Sequence, residues 1–224
     1  MIFDSHMHTK FSADSKMTAV EAIARAASLN LGVVFTEHFD YGLEIKGKSF
    51  TFDAAAYMNE YKNFRGEKVR LGVEVGLRKF ARAANEKFIA QAPFDLVIGS
   101  IHLVDDLDIY YPEFFADKDK TTAYKKYFRQ MADEAAVADF DVLGHIDYIC
   151  RTAPYSDAEI SYVLFDKEID EVLKYRALGG RFVTLGSDAH RVSAVGNYFP
   201  RALDFLRELD LTPVPFCERK LEQL

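Results

Sequence analysis

The chain has 224 residues, 49% of them apolar, with 19 Phe and 12 Tyr available to fill an interior. That length suits one domain running from residue 1 to 224, and α/β barrels reach it without dividing. A formal charge of −7 argues against a broad electrostatic footprint on nucleic acid, and the composition against disorder or a fibre. Only Cys150 and Cys217 occur, without C-x-x-C spacing, as expected of two reduced thiols in the cytoplasm. No charged segment followed by an apolar run opens the chain, and no apolar stretch approaches membrane-spanning length.

Short apolar runs alternate with helical patterns. Ile2 to Ser5 reads as a strand. Thr18 to Leu29 reads as a helix, opened by a T-x-x-E capping box at Thr18 and Glu21 and left through Gly32. Val33 to Phe35 makes the next strand, Asp53 to Phe64 a helix, and Val69 to Val75 a strand. Lys79 to Gln91 and Leu96 to Ile98 repeat the pair, followed by a long helix from Thr121 to Ala138 and a strand from Phe140 to Leu143. Asp157 to Leu178 is helical, Phe182 to Leu185 a strand, Pro200 to Leu209 a helix, and Thr212 to Phe216 a short seventh strand. Such alternation predicts a parallel sheet with helices outside, either open and doubly wound or closed as a barrel. The stretch Asp105 to Lys120, acidic, aromatic and interrupted by Pro112, is either a connecting loop or a lid.

Histidine placement carries the functional signal. His6 and His8 follow the first strand, His38 the second, His102 the fourth, His145 the fifth and His190 the sixth. In parallel α/β folds the carboxyl ends of the strands share one face, where ligands bind, so these six imidazoles should converge. Glu74 ends the third strand, the one without a histidine; Asp188 precedes His190 as S-D-A-H, and Asp14 lies in the loop after the first strand. Imidazole with carboxylate and no thiolate suits Zn²⁺, Mn²⁺ or Fe. In an extended segment alternate residues point the same way, so His6 and His8 can reach one ion, as can Asp188 and His190. A carboxylate such as Glu74 can bridge two ions. Coordination lowers the pKa of water toward ~7, so the chemistry needs no serine or cysteine nucleophile. Asp4 and Glu37, each close before a histidine, are expected to orient ligand rings or to be polar loop residues.

Phosphate-loop, dinucleotide and nucleophile-elbow motifs are absent. Phosphate recognition would fall to metal and to arginine, with Arg151 and Arg191 near enough in sequence and Lys46 and Lys48 weaker candidates.

Taken in order, F-D-S-H-M-H-T with S-x-D at Ser12 to Asp14, T-E-H at 36 to 38, G-V-E-V-G around Glu74, S-I-H at 100 to 102, G-H-I-D at 144 to 147 and G-S-D-A-H at 186 to 190 resemble the PHP (polymerase and histidinol phosphatase) family. Within it they are similar to the histidinol-phosphatase-like branch. The resemblance implies a distorted (β/α)7 TIM-like barrel with a trinuclear site at its carboxyl face. It places one ion on His6, His8, Glu74 and Asp188, a second on Glu74, His102 and His145, and a third on Asp14, His38 and His190. Many members have histidine where this chain has Asp14. The implied activity is a phosphomonoesterase of histidinol-phosphatase type, in which a hydroxide bridging two ions attacks phosphorus and Glu74, Asp188 and His190 carry the catalysis. Zn, Mn or Fe would be the three divalent ions, and a small phosphorylated metabolite the substrate, with no membrane or nucleic-acid partner. The alternatives are a phosphodiesterase or exonuclease, a phosphotyrosine phosphatase of the same fold, or a metal-binding regulatory module without turnover.

Overall fold

The computed structural model describes residues 1–155 and 178–222. Its centre is a parallel sheet whose strands follow one another in space as in sequence: β1 (Phe3–Asp4), β2 (Gly32–Phe39), β3 (Val69–Gly76), β4 (Val97–Ser100) and β5 (Val142–Leu143). Helices α1 (Ala19–Ser28), α2 (Ala54–Tyr61), α3 (Arg82–Ile89) and α4 (Lys120–Ala135) each connect one strand to the next. Thr18 and Glu21 form the expected capping box of α1, while Asp53 and Asp119 cap α2 and α4 by accepting from Ala56 N and Thr122 N. Beyond the sheet, β6 (Phe182–Val183) pairs in parallel with β7 (Thr212–Pro213), and α5 (Phe199–Glu208) lies between them in sequence. After β6 the chain runs beside the segment that follows β1. Ser5 N donates to Leu185 O at 2.7 Å, Asp188 N to His6 O at 2.9 Å, and Met7 bridges Ala189 in parallel. The whole is a mixed α/β fold with a curled parallel half-barrel sheet. No helix among the described residues is long and apolar enough to cross a membrane.

Several expected boundaries shift. β2 extends through Phe39, so His38 lies within a strand rather than beyond one. The eight residues of β2 are all buried, polar ones included, and an apolar run read from sequence stops too early there. The expected seventh strand divides: Thr212–Pro213 joins β6, whereas Phe216–Cys217 turns back in an antiparallel hairpin onto Lys220–Leu221. Pro213 and Pro215 supply no N–H to a continuing ladder. The helix expected over Asp157–Leu178 falls almost wholly outside the described residues. Residues 105 to 120 form no free-standing cover: Leu107–Asp108 pairs back on Leu103–Val104, and Ile109, Phe114 and Phe115 are packed into the main core.

The strands are apolar on both faces. Val33, Phe35, Leu71, Val73 and Val75 pack outward in the main core beneath the helices, while Phe3, Val34, Leu96 and Ile98 form a smaller inner cluster joined by Val142 and Phe216. Along β2 the inner face changes from Val34 through Thr36 to His38, residues two apart that share a side, and His38 stands in register opposite Glu74. The inner face therefore turns from apolar to ligating over about one strand length. At the amino ends, buried Asp95 accepts from Arg65 Nε and Nη2 and from the backbone N–H of Leu71 and Glu218. Arg219 reaches Asp139 and Asp141, and Asp141 accepts from Val97 N. These charged contacts fasten the terminal hairpin to the starts of β3, β4 and β5.

Gly72 lies between these two ends on the inner face of β3. A Cβ there would stand 2.6 Å from Leu96 O, 3.1 Å from Thr36 Cγ2 and 3.2 Å from Val34 Cγ1. Backbone blocks the closest of these directions, so Gly72→Ala is expected to cost about 1–3 kcal/mol of stability through overpacking, measured by urea unfolding. An unchanged midpoint would show that the strand interior has slack.

Candidate metal centre

The six imidazoles converge. The extended segment after β1 aims His6 and His8 the same way, with their Nε2 atoms 3.1 Å apart. Facing them, Asp188 Oδ1 lies 3.5 Å from His6 Nε2 and 3.3 Å from His8 Nε2. Glu74 occupies the middle of the cluster and is fully buried. Its Oε1 is 2.9 Å from His145 Nε2 and 3.3 Å from both His6 Nε2 and His102 Nε2, and its Oε2 is 2.9 Å from His38 Nδ1 and 3.5 Å from His8 Nε2. Five histidines thus surround one carboxylate. The sixth, His190, stands at the rim, its Nε2 3.3 Å from Asp14 Oδ2 and 3.4 Å from His38 Nε2; His38 Nε2 is itself 3.6 Å from Asp14 Oδ2. Overlapping trios of these groups each bring three ligand atoms within 4.8 Å of one another.

The arrangement fits cations better than it fits protons. His38 Nδ1 and Glu74 Oε2 are buried and 2.9 Å apart, yet neither is satisfied by an aligned hydrogen bond. A buried polar atom left unsatisfied costs about 1–3 kcal/mol. Buried donor atoms crowded together and left unpaired are a ligand set for divalent ions, and imidazole with carboxylate suits Zn²⁺, Mn²⁺ or Fe. Asp188 also adopts a left-handed backbone, φ 52°, a conformation that costs a non-glycine residue roughly 1–3 kcal/mol and clusters at functional sites.

A ring of partners holds the cluster. Ser100 Oγ donates to Glu74 Oε1 at 2.6 Å. Ser12 Oγ is 3.0 Å from His8 Nδ1, donates to Glu37 Oε2 at 2.7 Å and accepts from His38 N. Glu37 also accepts from Thr9 N and Thr9 Oγ1, so it orients a ligand ring only through Ser12. Asp4 touches no ring; it accepts from Ser187 N, Ser187 Oγ and Gly196 N and so fixes the loop that carries Asp188 and His190. Asp40 was not foreseen from the sequence. Both its oxygens lie 3.0 Å from His102 Nδ1, and the available signal was its place two residues after His38, on the same side of an extended chain.

Of the two arginines expected near phosphate, Arg151 meets the cluster. Its Nη1 donates to Asp188 Oδ2 at 2.6 Å, and its guanidinium lies 5.0 Å from the Tyr148 ring centre. The Tyr148 ring centre is in turn 4.8 Å from that of His145. Arg191, which precedes a 3-10 turn, is exposed and, among the described residues, makes no ion pair with the cluster. Lys48 Nζ donates to Ala13 O at 2.9 Å, beside Asp14, whereas Lys46 sits in the hairpin turn with φ 52°.

Burial pushes the Glu74 carboxyl up, but the charges of His6, His102 and His38 outweigh it and hold it well below the usual carboxylate range. Burial likewise opposes the shift of His38, yet Glu74 and Asp14 push it up to about 10. Burial and the charge of His38 hold His8 well below its ordinary value. Without cations, His38 therefore keeps its proton throughout the neutral range. A metal ligand must be deprotonated, so loading should expel protons, and apparent affinity should rise with pH up to about 10. Adding Zn²⁺ to metal-stripped protein at pH near 8 in weak buffer should acidify the solution; ion uptake without acidification would contradict this electrostatic picture.

Comparison with known proteins agrees with this geometry. Residues 4–182 match the PHP domain. A protein of Clostridium acetobutylicum named "Probable histidinol-phosphatase" is 38% identical, the match covering 99% of this chain and 98% of the relative. A histidinol-phosphatase of Lactococcus lactis is 29% identical over 84% of this chain and 83% of its own length. Among solved structures, the histidinol phosphate phosphatase of Lactococcus lactis, complexed with zinc, L-histidinol and phosphate, superposes with a TM-score of 0.88 at 24% identity, covering 99% of both chains; at that identity the likeness speaks to fold. With the family's match running over most of its length and a relative of this identity aligned from end to end, the chain belongs to the PHP domain family.

Proposed function

We propose that this chain is a metal-dependent phosphomonoesterase that hydrolyses L-histidinol phosphate to L-histidinol and inorganic phosphate, a step of histidine biosynthesis. The observation that carries the reading is the fully buried Glu74 within 4 Å of five imidazoles, with Asp188 and Asp14 beside them. The relatives named as histidinol-phosphatases, matched over 99% and 84% of this chain, supply the substrate. The sheet would close in this reading into the distorted (β/α)7 barrel of the family.

Three ions distribute naturally over the side chains. His6, His8, Glu74 and Asp188 would hold the first; Glu74, His102 and His145 the second; and Asp14, His38 and His190 the third. Bound there, divalent ions would supply Lewis acidity toward the phosphate oxygens and make water nucleophilic near neutral pH. The protein's own contribution is placement. Glu74 can offer one oxygen toward His6, His102 and His145 and the other toward His38 and His8, which suits a bridge. Asp188 divides its oxygens, Oδ1 toward His6 and His8 and Oδ2 toward Arg151. Arg151, with a half-exposed side chain, keeps other N–H groups free to grip a phosphate oxygen while Tyr148 supports its plane. His190 is the more open imidazole at the rim, its side chain 30% exposed against 8% for His6 and His145, so the phosphate has its entry on the side of Asp14, His190 and Arg151.

Chelation should abolish hydrolysis of histidinol phosphate, and Zn²⁺, Mn²⁺ or Fe²⁺ supplied separately should restore it. Turnover indifferent to chelators, or confined to oligonucleotides and phosphotyrosine peptides, would overturn the assignment. Arg151→Gln removes a charge-assisted contact of about 1.5–3 kcal/mol, so kcat/KM should fall by roughly 10- to 100-fold while Arg191→Gln leaves it unchanged. The opposite ranking would move phosphate recognition to Arg191.

A further inference from the structure

We propose that Asp40 is the positioning residue of the ion assigned above to Glu74, His102 and His145, acting through the His102 ring; the proposal rests on that metal-dependent reading. Asp40 is 2% exposed, and both its carboxylate oxygens lie 3.0 Å from His102 Nδ1. The other nitrogen of the same ring, Nε2, lies 3.3 Å from Glu74 Oε1. An ionised carboxylate can only accept, so the contact fixes the proton on Nδ1 and leaves the Nε2 lone pair aimed at the cluster. It also makes the ring a more basic ligand.

The surrounding chain is built to admit this group. Asp40 ends the run of alternate residues that includes His38, and Gly76 at the end of β3 leaves its place open. A Cβ on Gly76 would stand 2.0 Å from Asp40 Oδ1, so no other residue fits at position 76 with Asp40 where it is. One of the two oxygens, Oδ2, is also 3.6 Å from His38 Nδ1, which places the carboxylate between the ring it holds and a ligand of the neighbouring ion. On two other rings of the cluster the corresponding nitrogen meets a neutral group at hydrogen-bond distance: Ser12 Oγ on His8, and the backbone carbonyl of Asp188 on His190. His102 differs from these two in having both oxygens of a carboxylate at hydrogen-bond distance behind it.

The test measures ions per chain and Zn²⁺ affinity, by competition with a chromophoric chelator, for the full-length protein and for Asp40→Asn, His102→Gln and the double variant. Asp40→Asn should keep the far-ultraviolet circular dichroism of the parent and weaken one ion by about 10- to 100-fold, and it should add no further loss once His102 is replaced. Unchanged affinity in Asp40→Asn, or an equal loss in the His102→Gln background, would overturn the proposal. A parent protein that binds no ions at all would overturn the metal-dependent reading itself, which the parent's own titration reveals before any variant is compared. Should Asp40→Asn fail to fold, the ¹⁵N spectrum of His102 in the zinc-loaded parent decides: a proton on Nδ1 with metal on Nε2 supports the proposal, and the reverse tautomer sinks it.

Discussion

A single carboxylate organises this molecule. Glu74 is fully buried at the carboxyl end of the central strand of the sheet, and a naked carboxylate there would be expensive. The structure meets that cost by gathering five imidazoles and the Ser100 hydroxyl around it. The charges of His6, His102 and His38, rather than solvent, keep it ionised. The requirement propagates outward: each ring must be held by its strand or loop, and each of those must be held by something else. Glu37 does so for the loop after β1, and Asp4 does so for the loop after β6. The polar interior is therefore a connected set in which the ligand atoms face inward and a second line of carboxylates holds the loops, through Asp4 and Glu37, or a ring, through Asp40.

The same arrangement explains why the sheet changes character along its length. A parallel strand buried on both faces is apolar almost throughout, and Val34, Leu96 and Ile98 obey that rule on the inner side. Two residues further along β2 and β3, the inner face is given to Thr36, His38 and Glu74. Helix packing on the outer face continues undisturbed past this point through Val73 and Val75. Alternation lets one strand serve both ends at once: its odd residues secure the fold while its even residues carry the chemistry.

Much of the centre was legible from the chain alone, for a physical reason. Parallel strands joined by helices must all end on one face, so His6, His8, His38, His102, His145 and His190 could be assigned to a common site from order alone, and Glu74 filled the strand that lacked a histidine. What escaped was whatever depends on distance between segments that no local pattern relates. Asp40 reads as an ordinary residue at the close of an apolar run until His102 is seen behind it. Arg151 and Arg191 were indistinguishable as neighbours of ligand histidines; only the turn of the backbone separates one on Asp188 from one in solvent. The fastening of the terminal hairpin by Asp95 and Arg219 was equally hidden, since both look like surface charges in sequence. Asp4 and Glu37 were legible as partners of ligand rings or as polar loop residues; Asp4 holds a loop, and Glu37 holds a loop and reaches the His8 ring through Ser12.

The fastening at the amino ends gives the molecule two separate anchors. Arg65, Asp95, Asp139, Asp141 and Arg219 form ion pairs that need no metal, whereas the opposite rim leaves buried atoms of its ligand residues, among them His38 Nδ1, Glu74 Oε2 and His145 Nδ1, without hydrogen-bond partners. The strands are thus gripped at the base whatever the metal content. Loss of ions would slacken the rim while the base stayed gathered, like a purse with its drawstring undone. Rebinding then starts from a framework already assembled, and the entropy of bringing six distant rings together is met by the fold before any ion arrives.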